Sequence, residues 1–322
     1  MANNSAVLFI DDVDQNPDAA RALLGLHFFN CRFIFAAQSE NAVLFQGVPR
    51  FKIPPLSLEE VEKFLELQEI RLPPGELQRL YSASEGNPLY IYYFTQNQVS
   101  PLPEGLYDYQ NSLWQQLSPL QKEIMNILAH SFSNLNLADL HALLNSQQLI
   151  TMTPMETKQI LDSTVPLIRQ TEGHYEFFHT YFKDHVCAIA VVDGLSEHYH
   201  KILVEYAANK KWKVAAAFHF LKANDPRMRR YLIDGATTAM LRGEWLLAEN
   251  FLKNEILFLK DNEDLHNEAY TRYSLAQVYT EMGDFGKARA EVDKSIQIFS
   301  NLEDTEWKNI VELWSSLLLI QE

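Results

Sequence analysis

A chain of 322 residues has room for two or three domains, and its 47% apolar and 21% charged content is that of an ordinary globular protein. The net charge of −15 is spread along the whole length, which disfavours binding to nucleic-acid phosphates. Cys31 and Cys187 stand far apart with no CxxC spacing, so neither a disulfide framework nor a zinc site is expected; with no membrane-length apolar run and no signal segment, the chain is predicted to be cytoplasmic.

Ala6–Ile10 is an apolar run that reads as a buried parallel strand, and it ends in Asp11-Asp12. Asp18–Leu26 reads as a short helix. Arg32–Ala37 reads as a second buried strand, ending in Gln38-Ser39. After Pro54-Pro55, Ser57 and Glu60 form a capping box that opens a helix running through Leu67. A further helix over Gly75–Ser84 stops at Glu85-Gly86-Asn87-Pro88, and another follows through Ile91–Gln96. Strand–helix–strand order implies a parallel sheet, and two strands are too few for a stable open one. Residues 1–100 therefore read as the C-terminal half of a larger α/β domain with a helical lid.

Pro101-Leu102-Pro103 marks a linker. Capping boxes with proline at the first helical position open helices at Ser118-Pro119-Leu120-Gln121 and Thr153-Pro154-Met155-Glu156, with another helix over Leu137–Asn145 between them. Leu167–Gln170, a Glu172-Gly173 turn and Tyr175–Phe178 then read as a hairpin. Helices followed by a hairpin are the layout of a winged helix, assigned to residues 101–194. Its candidate recognition helix, Pro154–Ser163, carries Lys158 against Glu156 and Asp162, which is poor for reading DNA.

From Leu195 onward the pattern is helical. Ala276, Tyr279, Gly283, Ala288 and Val292 match the small and large positions of a tetratricopeptide repeat, and Ala236, Ala239, Gly243, Ala248 and Leu252 occupy equivalent offsets earlier in the chain. The glycines are expected to end the first helix of each pair. Trp212, Ala216 and Phe220 fit a degenerate repeat before them. The fold class is thus multidomain and mostly α, with residues 195–322 forming TPR-like repeats that dock on the preceding module. The apolar Trp314–Ile320 is expected to be covered by further repeats or by another surface.

An apolar strand closed by two carboxylates is how a Walker B strand is spelled, its first Asp holding the Mg²⁺ of bound ATP. Only five residues precede the strand here, too few for a phosphate loop, and no G-x-x-x-x-G-K-[ST] occurs anywhere in the sequence. Gly283-Asp284-Phe285-Gly286-Lys287-Ala288 is too short for one and falls in a repeat. Gln38-Ser39 stand where a sensor of the γ-phosphate would sit. The rigid Gly86-Asn87-Pro88 turn could lay its proline flat against a base. His179, at a strand-to-helix junction, could reach a phosphate through its ring N–H. His198-Tyr199-His200 and His179 with His185 lack the spacing of a helical metal pair and read as surface or packing residues.

In their shared order these pieces resemble the STAND class of signalling ATPases, P-loop switches related to AAA+ proteins, and in particular the bacterial type associated with adenylate cyclase and LuxR-like modules. The matching segments are Leu8–Asp12, Pro55–Glu60, Glu85–Leu89, Leu117–Leu120, Tyr175–His179, and Ala217–Leu221 before Asn224-Asp225-Pro226. The resemblance implies ATP or ADP with Mg²⁺ as cofactors. It gives Asp11 the Mg²⁺ through water and Asp12 the polarising of the attacking water. It packs Pro88 on adenine, puts His179 on the β-phosphate of ADP in a closed state, and makes the winged helix a clasp on the nucleotide and not a DNA reader. Gln38 stands where the family often has Arg. Without a phosphate-loop lysine, hydrolysis by this chain alone is expected to be negligible, so that an ATPase requires the loop from a longer chain or a partner. The alternatives are a standalone repeat scaffold with a vestigial nucleotide site, and a winged-helix transcription regulator.

Overall fold

The computed structural model describes residues 6–11, 13, 31–37, 49–97, 102–146, 151–165, 167–223 and 228–321. The expected helix at Asp18–Leu26 and the site residues Asp12, Gln38 and Ser39 lie outside them. The chain divides into two compact units, Met1–Pro55 and Leu56–Glu322.

In the first unit β1 (Ala6–Ile10) pairs in parallel with β2 (Cys31–Phe35), in the register Ala6 with Cys31 through Ile10 with Phe35. The pairing continues past the strands, the Ala36 N–H donating to the Ile10 carbonyl and the Val13 N–H to the Ala36 carbonyl. Parallel order is as the sequence suggests, but burial is not: Val7 and Phe9 are 60% and 65% exposed. Successive side chains of a strand point to opposite faces, so Val7 and Phe9 are open on one face and Leu8 on the other.

The second unit is mostly helical. Helices α1 (Leu58–Leu67), α2 (Pro74–Ser84), α3 (Pro88–Asn97) and α4 (Leu106–Gln116) come first. Then follow α5 (Pro119–His130), the short β3 (Leu135–Asn136), α6 (Leu137–Ser146), α7 (Pro154–Ser163), β4 (Ile168–Thr171), β5 (His174–Phe177) and α8 (Thr180–Val192). All three anticipated capping boxes form, at Ser57 with Glu60, Ser118 with Gln121, and Thr153 with Glu156. The hairpin turns through Glu172 and Gly173, both at positive φ, as a two-residue hairpin loop requires. Its second strand also pairs with β3, giving the antiparallel order β3-β5-β4. One apolar core holds this part together, from Val61 in α1 to Leu203 in the next helix.

The rest is a stack of helices: α9 (Ser196–Asn209), α10 (Lys213–Lys222), α11 (Met228–Leu241), α12 (Trp245–Asp261), α13 (Leu265–Glu281), α14 (Phe285–Asn301) and α15 (Thr305–Gln321). A second core, from Val214 to Val311, runs through it, with the small cluster of Val204, Ala207, Ala215, Ala216 and Phe220 at its base. Gly243 and Gly283 adopt positive φ just beyond α11 and α13, as the repeat pattern requires. Glu263 and Glu303 do the same beyond α12 and α14. Helices α12, α13 and α14 are each 17 residues long. With a three-residue turn, each helix–turn unit is about one turn longer than half of a 34-residue tetratricopeptide repeat. Among the described residues no helix is long and apolar enough to cross a membrane.

Candidate nucleotide site

Asp11 follows the last residue of β1 and is exposed. It belongs to the first unit; Gly86, Asn87, Pro88 and His179 belong to the second.

The turn into α3 is built by local rules. Helix α2 ends with Glu85 and Gly86 at φ 49° and 71°. Gly86 is buried against the chain before α1: its carbonyl accepts from the Leu56 N–H at 2.9 Å, and a Cβ on Gly86 would lie 2.2 Å from the Leu56 carbonyl oxygen. The Asn87 side-chain oxygen accepts from the N–H groups of Leu89 at 2.9 Å and Tyr90 at 3.2 Å. The first-turn donors of α3 are thereby occupied and Pro88 has no N–H to offer, so the turn presents the exposed pyrrolidine ring and not an anion cradle.

His179 caps α8, its Nδ1 accepting from the Tyr181 N–H at 3.2 Å, and its ring stacks on that of Tyr181 with centroids 5.1 Å apart. With Nδ1 accepting, the proton of the neutral ring sits on Nε2.

Aromatic packing ties the helix that follows the turn to the junction that carries His179. Tyr92, one helical turn after Pro88, stacks on Phe178, the residue before His179, with centroids 4.7 Å apart at 12°. The Arg169 guanidinium carbon lies 5.9 Å from the Phe178 ring centroid, and Arg169 Nε donates to Glu176 at 2.8 Å. Tyr93 meets Phe182 edge-on at 6.4 Å, joining α3 to α8 itself. Sequence reasoning singled out Gly86, Asn87, Pro88 and His179 but not the Tyr92, Phe178 and Arg169 packing beside them, whose signal was the density of aromatic residues in Tyr90–Phe94 and Tyr175–Phe178. On α7, Lys158 is held by Asp162 at 2.7 Å. Among the described residues no group of His, Cys, Asp and Glu has the arrangement of a metal centre.

No family model and no curated protein matches the chain. Among solved structures, it is similar to the crystal structure of a Signal Transduction ATPase with Numerous Domains (STAND) protein with a tetratricopeptide repeat sensor from Pyrococcus horikoshii, with a TM-score of 0.50 and 17% identity. The match takes in 92% of this chain and 50% of that one, so this chain spans about half the length of its structural neighbour. In fold, the chain is similar to a STAND protein with a tetratricopeptide-repeat sensor.

Proposed function

We propose that this chain is the C-terminal portion of a STAND-type signalling switch: a partial P-loop-type ATPase domain with a helical lid at residues 1–100, a winged-helix clasp at 101–194 and a TPR-like sensor at 195–322. In this reading ADP or ATP with Mg²⁺ is bound through Asp11 and Asp12, with Gln38 and Ser39 sensing the γ-phosphate. Pro88 packs on the base, and His179 donates its Nε2 proton to a phosphate oxygen. The observation that carries the reading is the Tyr92–Phe178 stack, which ties the helix beginning at Pro88 to the junction that presents His179. The fold of the Pyrococcus protein supports the same reading.

Phosphoryl transfer depends on positioning and charge neutralisation by a phosphate loop and its lysine. The sequence contains no such motif, so hydrolysis requires that loop from another segment or a partner, and the chain on its own contributes the lid, the clasp and the sensor. The repeats bind a protein partner or effector, and exchange of ADP for ATP loosens the clasp and permits self-association. The absent motif equally favours a second reading, a repeat scaffold whose nucleotide site is vestigial.

Equilibrium binding of fluorescent ADP or ATP with Mg²⁺ to the purified chain separates the two. Micromolar or tighter binding that is lost in Asp11→Asn, Pro88→Ala and His179→Ala supports the switch. No binding at high micromolar protein leaves the scaffold.

A further inference from the structure

Between the two apolar cores lie three buried histidines from three helices: His130 at the end of α5, His200 in α9 and His219 in α10. Their rings are in mutual contact, with centroids 5.2 Å apart for His130 and His200 and 5.3 Å for His200 and His219. The hydrogen bonds fix where their protons sit. The Phe132 N–H donates to His219 Nε2 at 3.4 Å, so the neutral His219 ring carries its proton on Nδ1. That Nδ1 lies 3.0 Å from His200 Nδ1, which must then accept, leaving the His200 proton on Nε2. His130 Nδ1 is 2.9 Å from the Asn126 carbonyl and so donates, which leaves His130 Nε2 as a buried lone pair with no hydrogen-bond partner.

Every position for a further proton is therefore opposed. On His219 it would face the Phe132 N–H, and on His200 it would face the His219 N–H. On His130 it would create a buried cation without an acceptor, which is costly. A shared metal ion fits no better, because His219 Nδ1 could ligate only with its proton moved to Nε2, against the Phe132 N–H.

The two lysines nearby act in the same direction, while the Asn126 carbonyl on His130 acts against it. From α8, Lys183 repels a charge on His130, and from α10, Lys222 repels one on His200. Glu123 of α5 is engaged by the Tyr199 hydroxyl at 2.8 Å, and the Tyr199 ring stacks on His130 and meets His198 edge-on. On α8, the Cys187 thiol donates to the Ala129 carbonyl at 3.6 Å, with Asp184 beside it. Burial first, then the mutual repulsion of the rings, holds His200 and His219 below the ordinary histidine range, with Lys222 adding to the effect on His200; burial does the same for His130.

We propose that the His130–His200–His219 cluster is a proton-operated joint, at which mild acid loosens the base of the helical repeats from the helical module that carries His179. Each ring is neutral in the closed joint and ordinary when exposed. The closed form is favoured fully above about pH 6.5 and loses ground as the pH falls below it, by up to about tenfold in the open population per pH unit for each ring that takes a proton only on opening.

The test is native-state hydrogen exchange on the full chain between pH 7.5 and 5.5, corrected for the intrinsic pH dependence of exchange. It reads the Phe132 amide and the segments of α9 and α10, with α14 as an internal reference. The expected result is an open population at the joint that rises at least tenfold per pH unit below about 6.5, while α14 stays level. His219→Gln keeps an acceptor for the Phe132 N–H and a donor for His200 and should lower the slope by one proton. Should that variant not fold, ring ¹⁵N shifts of the unmodified chain decide: His200 and His219 should remain neutral at pH 5.5. A pH-independent joint, an unchanged slope in His219→Gln, or rings that titrate near 6.5 in the closed chain would overturn the proposal.

Discussion

Tyr92 and Phe178 lie nearly parallel, 12° apart with centroids separated by 4.7 Å, and join the helix that starts at Pro88 to the strand end that precedes His179. A stacked aromatic pair contributes about 0.5–1.5 kcal/mol beyond its area. Tyr92 is half-buried, so Tyr92→Ala should cost about 2 kcal/mol in urea unfolding. Tyr92→Phe keeps the ring and should stay within about 0.5 kcal/mol of the parent. Hydrogen exchange over residues 176–182 should rise in the first variant and not in the second. Equal exchange in both would mean that the stack does not hold the junction.

At Gly86 two effects add. Its φ of 71° is left-handed, and an added Cβ would meet the Leu56 carbonyl oxygen at 2.2 Å. Gly283 has a similar φ of 76° but open space around the same position. Gly283→Ala should therefore show the backbone term alone, about 1 kcal/mol. Gly86→Ala should lose about 2–4 kcal/mol, because the Leu56 contact must also move. Denaturant midpoints of the two variants measure the difference directly; equal losses would show that the segment before α1 yields without strain.

What the sequence made legible was local. A capping box spans three residues, and Ser57, Ser118 and Thr153 each found the partner that their spacing named. Glu172-Gly173 announced its turn, and Gly243 and Gly283 announced the ends of α11 and α13. Glu263 and Glu303 end α12 and α14 in the same left-handed conformation, yet glutamate gives no such signal, so the helix–turn unit was visible only at every second turn. In the candidate site, Gly86, Asn87 and His179 could be read because each has a local job, as a turn or a cap. Tyr92 with Phe178, and His130 with His200 and His219, meet across long stretches of chain, and no short-range pattern encodes such contacts. The apolar run Val7–Phe9 was read as buried because composition reports what a strand is suited to cover, not what lies against it.

Asp139 ties the module to the first helix of the stack. Its buried carboxylate accepts from the Tyr206 hydroxyl at 2.7 Å and from the Asn136 N–H at 3.2 Å, with the Lys210 ammonium 3.5 Å away. Asp139→Ala would strand a half-buried hydroxyl and remove a charge-assisted bond, a loss of about 2–4 kcal/mol. Asp139→Asn keeps an acceptor for Tyr206 and should lose about half as much. Urea midpoints of the two variants, each with Tyr206→Phe as the second arm of a double-mutant cycle, check this. A coupling near zero would show that Asp139 does not act through the Tyr206 hydroxyl.

Arg272 lies inside the repeat stack with its side chain 7% exposed, donating through Nε and Nη2 to Glu268 at 2.9 and 2.7 Å and through Nη1 to Glu291. Three donors in a fixed plane serve two carboxylates on adjacent helices, a geometry that lysine cannot reproduce. Removing the cation leaves the buried Glu268 carboxylate without its guanidinium, while Glu291 keeps Lys294 at 2.6 Å, so Arg272→Ala should destabilise the stack by about 3 kcal/mol. Arg272→Lys should recover only part of that loss. The interaction is shielded from solvent, and raising the salt to 1 M should leave the difference between parent and variant nearly unchanged, unlike that of the exposed pair Lys201–Glu197. Urea unfolding at low and high salt makes the measurement. A loss that disappears in salt would mean that water reaches the carboxylates and that the repeat packing, not the ion network, holds α13 against α14.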